Sequence, residues 1–497
     1  MEIEQRQIFI TSDWHLGGTM DSDRNHKGIE KMGSSIFRDT ENLTKFLDWI
    51  REQASVFDGK TEVVLNGDIV DFLAPNNENE YTPEAWQNNA EKINNELTSI
   101  AERFVNSEGR GPFQALRDLV SEGCEVTVLL GNHDVELCLP GVRNRFQELI
   151  GGQSKNVQFI YDGEAYVYGR LLVEHGNRYD PFNAVDFSLL RQERSMLSRG
   201  FSIDENSRGN LFFEPPVGSS IVVNEINPLL HEVPFLNLLK PEFGAAIPLM
   251  LAFYPETRGF FEMAFVLLKI GKRVKDNSLT NRPGLLSGSP LDTYTSLNDF
   301  LKEELGDDAK SFLSPPKRGG TLSRSEPRTG AKFKKLAAKA AESLNLELPW
   351  DVYRICKEKS DTDRMAQVRI ALRKVRDSTA FDHQTEKVQY MAPAYEIVET
   401  GLVDTVVFGH THFPKEVILD DGAKYLNAGT WADVLRLPEA ISSEIDEEAY
   451  SAIDTFLEDI KNQNYEPYTL RPRTYVRAVV DSSGSVEAAL KSFEPNG

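Results

Sequence analysis

Five stretches of this chain are continuous apolar runs that end in blocks of aspartate, histidine, asparagine and glycine: QIFITSDWH (7–15), EVVLNGD (62–68), EVTVLLGNHD (125–134), RLLVEHGN (170–177) and DTVVFGHTH (404–412). A run that is unbroken, rather than alternating, reads as a strand buried on both faces, as in a parallel sheet covered by helices. Helical patterns separate the first three runs. Leu43, Phe46, Leu47 and Ile50 share one face, and Trp86, Ile93, Leu97, Ile100 and Phe104 share another after a start at Thr82-Pro83. Strands alternating with helices predict an α/β layered core. AKYLNAGTW and TYVRAVVDSSGSVEAAL add strands near the C-terminus, with a tight turn at Ser482–Gly484, so a mixed sheet is expected.

The rhythm stops between about residues 190 and 385, which divides the chain into a first core part (1–190), an insertion or cap (191–385) and a second core part (386–497). Segment 242–270 is strongly apolar, but Pro248, Pro255, Glu256, Arg258 and Glu262 interrupt it. A membrane span needs roughly 20 apolar residues. The segment suits a helical cap, a surface for a second copy or a partner protein, or a peripheral membrane contact. Residues 306–330 read as a linker. From Lys310 to Arg376 there are 17 Lys and Arg against 7 Asp and Glu, a net of +10 in a chain of net charge −22, so the remainder carries −32. That remainder opposes broad adhesion to nucleic acid or anionic membrane. Within the basic arm, Met365, Val368, Leu372 and Val375 have helical spacing. A packed helix with a solvated basic face is preferred there over a lip that attracts phosphate-bearing ligands. The first residues carry no basic-then-apolar leader. Cys124, Cys138 and Cys356 lack the spacing of a zinc knuckle or a redox dithiol, which suits the cytoplasm, and the first two read as small buried apolar residues.

The chemistry lies at the strand ends: Asp13 and His15; Asp68, with Asp71 three residues on; Asn132, His133 and Asp134; His175 and Asn177; His410 and His412. Five of the eight histidines are in these blocks. In open α/β sheets the carboxyl ends of the strands form the ligand crevice, so these groups are expected to converge on metal. In an extended segment residues i and i+2 face the same way, so Asp13 with His15, and His410 with His412, each offer two ligands to one side. The glycines before Asp68, Asn132 and His410 would free the turns that aim them. Imidazole, carboxylate and amide donors without cysteine suit Mn²⁺, Fe or Zn²⁺. Two divalent ions against Asp13 and Asp68 leave a positive surplus that fits a phosphate ester, and a bridging water between them supplies hydroxide near neutral pH. His133 is a candidate to protonate the leaving oxygen, with Asp134 orienting its ring. Asp71 reads equally as a partner of a ligand or as a helix cap. Asn177, Arg178 and Asp180 read as substrate contacts or as a salt-bridged loop. Trp14 and Trp431 read as packing residues at the rim, with stacking on a substrate ring as the lesser use. His26, His231 and His383 fall outside the blocks and read as surface or core residues.

In this order DWH, GDIVD, GNHD, HGN and GHTH resemble the calcineurin-like metallophosphoesterase family, whose pattern is D-x-H, G-D-x-x-D, G-N-H-[DE], H-G and G-H-x-H. NAGTW (427–431) is similar to the N-x-G-[ST] turn that often follows the last block. The resemblance covers roughly residues 6–180 and 400–432. It implies a four-layer α-β-β-α sandwich, here with a large mostly helical insertion, and two divalent ions, Mn²⁺ ahead of Fe, Zn²⁺ or Ni²⁺. Asp13, His15, Asp68 and His412 would hold one ion, and Asp68, Asn132, His175 and His410 the other, with His133 as the catalytic histidine. Within the family the chain looks most similar to the branch of UDP-2,3-diacylglucosamine pyrophosphohydrolases, although Asn177 stands where that branch often carries an acid. The expected activity is hydrolysis of a phosphomonoester, phosphodiester or nucleotide. A lipid-linked pyrophosphate comes second, a nuclease using the basic arm third, and a metal-organised scaffold acting through the insertion is the non-enzymatic alternative.

Overall fold

The computed structural model describes residues 3–20, 22–24, 30–31, 33–76, 81–152, 154–180, 182–201, 213–230, 235–239, 248–249, 355, 360–376 and 382–495. Most of the expected insertion 191–385, the linker 306–330, nearly all of the apolar segment 242–270, most of the basic arm, His26, His231 and Cys356 lie outside these residues. Internal packing divides the chain into two units. The first comprises Met1–His231, Thr379–Asp433 and Arg471–Gly497; the second comprises Glu232–Ser378 and Val434–Leu470.

The apolar runs fold as strands because both of their faces are covered. In the first unit β1 (Arg6–Thr11), β2 (Lys60–Asn66), β3 (Glu125–Leu129) and β4 (Val157–Ile160) are the parallel strands of one sheet. A second sheet contains β5 (Tyr166–Tyr168), β6 (Leu171–Val173), β7 (Thr405–Phe408), β8 (Lys415–Ile418) and β9 (Lys424–Asn427) in the order β8-β9-β7-β6-β5. β10 (Thr474–Val480) and β11 (Val486–Ser492) complete the first sheet, antiparallel, as β11-β10-β1-β2-β3-β4. Both sheets are therefore mixed. The expected turn between β10 and β11 is held by the Asp481 carboxylate, which accepts from the Ser483 and Ser485 amides.

Alternate side chains divide the core into layers. Ile8, Ile10, Val64, Leu129, Leu171, Val173, Val407 and Leu426 pack between the two sheets. Phe9, Val63, Leu65, Val126 and Val128 point the other way, onto α1 (Thr40–Val56), α2 (Ala90–Arg103), α3 (Pro112–Ser121) and α4 (Pro140–Ile150). The outer face of the second sheet, Val406, Phe408 and Tyr425, meets Tyr390, Ala394 and Ile397 of the helix Val388–Glu399. This is the four-layer α-β-β-α sandwich. The amphipathic face read for α1 is fully buried. α2 begins later than the Thr82-Pro83 start, because the Asn89 side chain accepts from the Glu91 and Lys92 amides and caps Ala90. Trp86 therefore lies outside the helix, buried, with Nε1 donating to Glu193 on α5 (Phe187–Leu197) at 2.8 Å. Cys124 and Cys138 are buried, as expected of small apolar residues.

In the second unit the helix Asp361–Arg376 buries Val368 and Leu372 and sends Arg369 and Arg373 to the helix Asp446–Lys461. Arg369 makes two 2.8 Å bonds to Asp454, and Arg373 bonds Asp446. The part of the basic arm that is described is thus the packed helix, and two of its basic residues are neutralised by acids. No helix among the described residues is long and apolar enough to cross a membrane.

One polar network ties the two sheets together. Glu62 of β2, almost wholly buried, accepts from Arg6 of β1, from Thr127 of β3 at 2.6 Å and from Tyr166 of β5 in the other sheet at 2.7 Å. A buried carboxylate left without its cation is strongly destabilising, by about 3–5 kcal/mol. Arg6→Ala is therefore expected to lower the thermal midpoint sharply by circular dichroism, and adding Glu62→Gln should restore a large part of the loss. A double variant no more stable than Arg6→Ala would show that the network does not hold the sheets.

Candidate metal centre

Parallel pairing of β1, β2 and β3 in one sheet, and of β6 and β7 in the other, brings the polar blocks out at the carboxyl ends of the strands. The loops are then laced to each other. Asp13 N donates to Gly67 O at 3.1 Å, His15 N to Asp68 O at 2.9 Å, and Gly409 N to His175 O at 2.9 Å. The aiming of the side chains differs from the expected extended geometry. Asp13, His15, Asp68, His410 and His412 all have positive φ, between 50° and 68°, and they are five of the eight described non-glycine residues that do. Left-handed backbone costs an L-residue about 1–2 kcal/mol. Asp13 and His15 therefore converge through left-handed backbone and not through the pleat of a strand, and left-handed backbone at His410 and His412 sends those two rings to different donor groups. The three glycines also act differently from one another. Gly67 itself has φ +78°, whereas a Cβ on Gly131 would lie 2.0 Å from Asp68 Oδ1, and one on Gly409 would lie 2.1 Å from Ser12 Oγ. The last two make room for close approach, and only the first supplies a left-handed turn.

Three groups of donors result, of which one, His15, Asp71 and His133, shares His15 with another. Asp13, His15 and His412 form one, with His15 Nε2 3.0 Å from His412 Nε2 and Asp13 Oδ1 3.4 Å from His412 Nε2. Asp68, His175 and His410 form the remaining one. Asp68 Oδ2 lies 3.2 Å from His175 Nε2 and 3.8 Å from His15 Nε2, so this carboxylate stands between the groups. Asp13 Oδ1 and Asn132 Oδ1 are buried and have no hydrogen-bond partner among the described residues. Buried polar atoms are almost always satisfied, and an orphaned carboxylate oxygen and an orphaned amide oxygen on strand ends that also carry imidazoles fit divalent cations.

A surrounding layer fixes the histidine rings. His15 Nδ1 lies 3.2 Å from Asp71 Oδ2, His175 Nδ1 2.7 Å from Asn66 O, and His410 Nε2 3.0 Å from Asp180 Oδ2. Each contact occupies one ring nitrogen and leaves the other for an ion, as ligating histidines require. Asp71 carries a second duty, because its Oδ1 lies 2.9 Å from His133 Nδ1. The NAGTW turn closes the layer. Asn427 Nδ2 donates to Gly409 O at 2.8 Å, and Thr430 Oγ1 donates to Asp13 O at 2.7 Å.

The buried carboxylates demand positive charge. Burial opposes the charged form of His15 and His175, yet Asp13 and Asp71 outweigh it at His15, and Asp68 and Asp13 at His175, pushing them up to about 10 and about 9. Burial likewise works against the Asp68 carboxylate, but His175, His133 and His15 hold it well below the usual range. A divalent cation meets the same demand without protonating the ligands.

Asp134 does not orient His133. Its two oxygens accept from the Gly131 amide at 2.7 Å and the Ile69 amide at 2.8 Å, tying two strand-end loops together, and burial followed by the charge of Asp68 pushes its carboxyl up to about 7. Asp71 occupies the place expected for it. Asn177 donates to Asn183 O, and Arg178 lies 3.2 Å from Glu174 and bonds Gly163 O, so both side chains are engaged by their own loop. Trp14 and Trp431 are fully buried, with Nε1 donating to Thr11 and to Thr474 O, and are core residues closed to a substrate ring. Asp180, read as a substrate contact or a salt-bridged loop, instead meets His410, and Asn427 and Thr430 were marked only by the NAGTW motif.

No curated protein matches the chain. Residues 6–223 match the family model for calcineurin-like phosphoesterases, a span that holds four of the five blocks, while the structure brings the fifth, His410 and His412, to the same place. Residues 6–223 are thus similar to a calcineurin-like phosphoesterase domain, which indicates a hydrolase acting on phosphoester bonds.

Proposed function

We propose that the chain hydrolyses a small phosphomonoester, phosphodiester or nucleotide at a pair of divalent ions, Mn²⁺ first among them. The observation that carries this reading is the position of Asp68, whose buried carboxylate lies between two groups of donors, and Asp13 Oδ1 and Asn132 Oδ1 are buried without hydrogen-bond partners among the described residues. Asp13, His15, Asp68 and His412 would hold one ion, and Asp68, Asn132, His175 and His410 the other. When bound, such ions supply Lewis acidity toward the phosphate oxygens and an activated water.

The protein's own groups then complete the chemistry. Asp71 holds His133 through Nδ1, which leaves Nε2 to give a proton to the leaving oxygen. Burial opposes a charge on His133, but Asp71 and Asp68 outweigh it and raise its pKa, which suits a proton donor. The same Asp71 steadies His15, so the proton donor and one ligand share a single anchor. Asp180 fixes the ring of His410. Against the nuclease alternative, Arg369 and Arg373 of the basic arm are already paired with acids.

A panel of aryl phosphate mono- and diesters and nucleotides with added Mn²⁺ tests this directly. His133→Ala is expected to lower kcat by about 100-fold or more, with metal content by elemental analysis unchanged. Asp71→Asn should fall in the same direction. No turnover of any ester by the metal-loaded wild type, or full activity in His133→Ala, would overturn the assignment. Asp180→Asn should weaken Mn²⁺ binding by about 10–100-fold in isothermal titration. Unchanged binding would show that His410 needs no such support.

A further inference from the structure

Away from this centre two guanidinium groups share one aromatic ring without an acid between them. Arg143, near the start of α4, has its guanidinium carbon 3.7 Å from the centre of the Tyr161 ring, and that of Arg194, on α5, lies 4.5 Å from it. Their bonds go to backbone carbonyls: Arg143 donates to Cys138 O, and Arg194 to Tyr161 O at 3.2 Å. Neither has a carboxylate within 4.0 Å among the described residues. The buried glutamates on adjoining segments are engaged elsewhere. Glu136 accepts from the Gln87 amide, and Glu193 accepts from Trp86 and from the Phe213 amide. Burial and then the like charge of Arg194 pull the pKa of Arg143 down, so the pair is held together against its own repulsion.

The location matters as much as the charge. Ile160 pairs with Leu129, the last residues of their strands, so Tyr161 follows the sheet at the end from which Asn132 and His133 also emerge. Arg143 is carried on the segment that continues from His133 through Val135–Cys138 into α4.

We propose that Arg143 and Arg194, stacked on Tyr161, form an anion subsite that holds a second phosphate of the substrate, apart from the phosphate being cleaved. The subsite rests on the hydrolase reading above and narrows its substrate to molecules bearing two separate phosphate groups. The planar guanidinium fork matches phosphate oxygens two at a time, and a ring beneath it fixes the plane of the fork. Two such forks with free N–H groups and no acid to satisfy them accept a dianion in a way that a single surface arginine does not.

The test compares a nucleoside bisphosphate with the corresponding monophosphate in wild type and in the double variant Arg143→Gln/Arg194→Gln. The variant is expected to lose about tenfold or more in kcat/KM on the bisphosphate, through KM, while the monophosphate stays within about twofold. Arg143→Lys/Arg194→Lys, which keeps charge and loses the fork, should fall between them. Equal losses on both substrates, or none, would overturn the subsite. Titration of the bisphosphate calorimetrically in EDTA is independent of turnover. Binding by wild type that is lost in the double variant supports the subsite even if no ester is cleaved, and equal binding rejects it. If no ester of any kind is cleaved, it is the hydrolase reading that fails.

Discussion

The centre depends on keeping one buried carboxylate, that of Asp68, ionised between two sets of imidazoles. Desolvation alone would neutralise it, and the surrounding His175, His133 and His15 reverse that preference. The His133 amide donates to its other oxygen at 2.8 Å, so each face of the carboxylate is met by a donor or a cation. The backbone is distorted to reach this arrangement. Five left-handed non-glycine residues gather at one edge of the sandwich because the strands beneath them are locked by burial on both faces, and local strain of this sort persists only when the surroundings over-determine it. The core of the first unit is thus what makes the site possible.

The strands and the five blocks could be read from the sequence because each run had to be apolar to be buried on both sides, and each block had to be polar to leave the core. The pairing of Asp13 with His15 was also visible, although for a different geometric reason, since a periodicity argument cannot distinguish a pleat from two left-handed turns. What could not be read was the layer behind the ligands. Asp71 is the last residue of GDIVD and Asp134 the last of GNHD, and only the three-dimensional register decides that Asp71 faces His133 while Asp134 turns back to the Gly131 and Ile69 amides. Asp180 meets His410 across a long stretch of sequence and left no local sign. The cap at Asn89 was available, since asparagine before a helical face is a start signal, but the Thr82-Pro83 pattern drew the start too early.

The second unit limits what charge counting can say. A block of net basic charge suggested a surface for polyanions, yet the helix Asp361–Arg376 spends Arg369 and Arg373 on the acids of its neighbour. Arg143 and Arg194, which lie far apart in the chain and meet at Tyr161, have no carboxylate partner among the described residues. Pairing in the fold thus removes basic residues that a charge count includes, in keeping with the packed helix preferred from the sequence.

The central claim is that Asp68 lies between two ions. Anomalous scattering from crystals of the Mn²⁺-loaded protein tests it most directly. Two peaks about 3.5–4 Å apart, one beside Asp13, His15 and His412 and one beside Asp68, Asn132, His175 and His410, are the predicted result. A single peak, or a peak seated among His15, Asp71 and His133, where a third group of donors lies within reach of an ion, would contradict it.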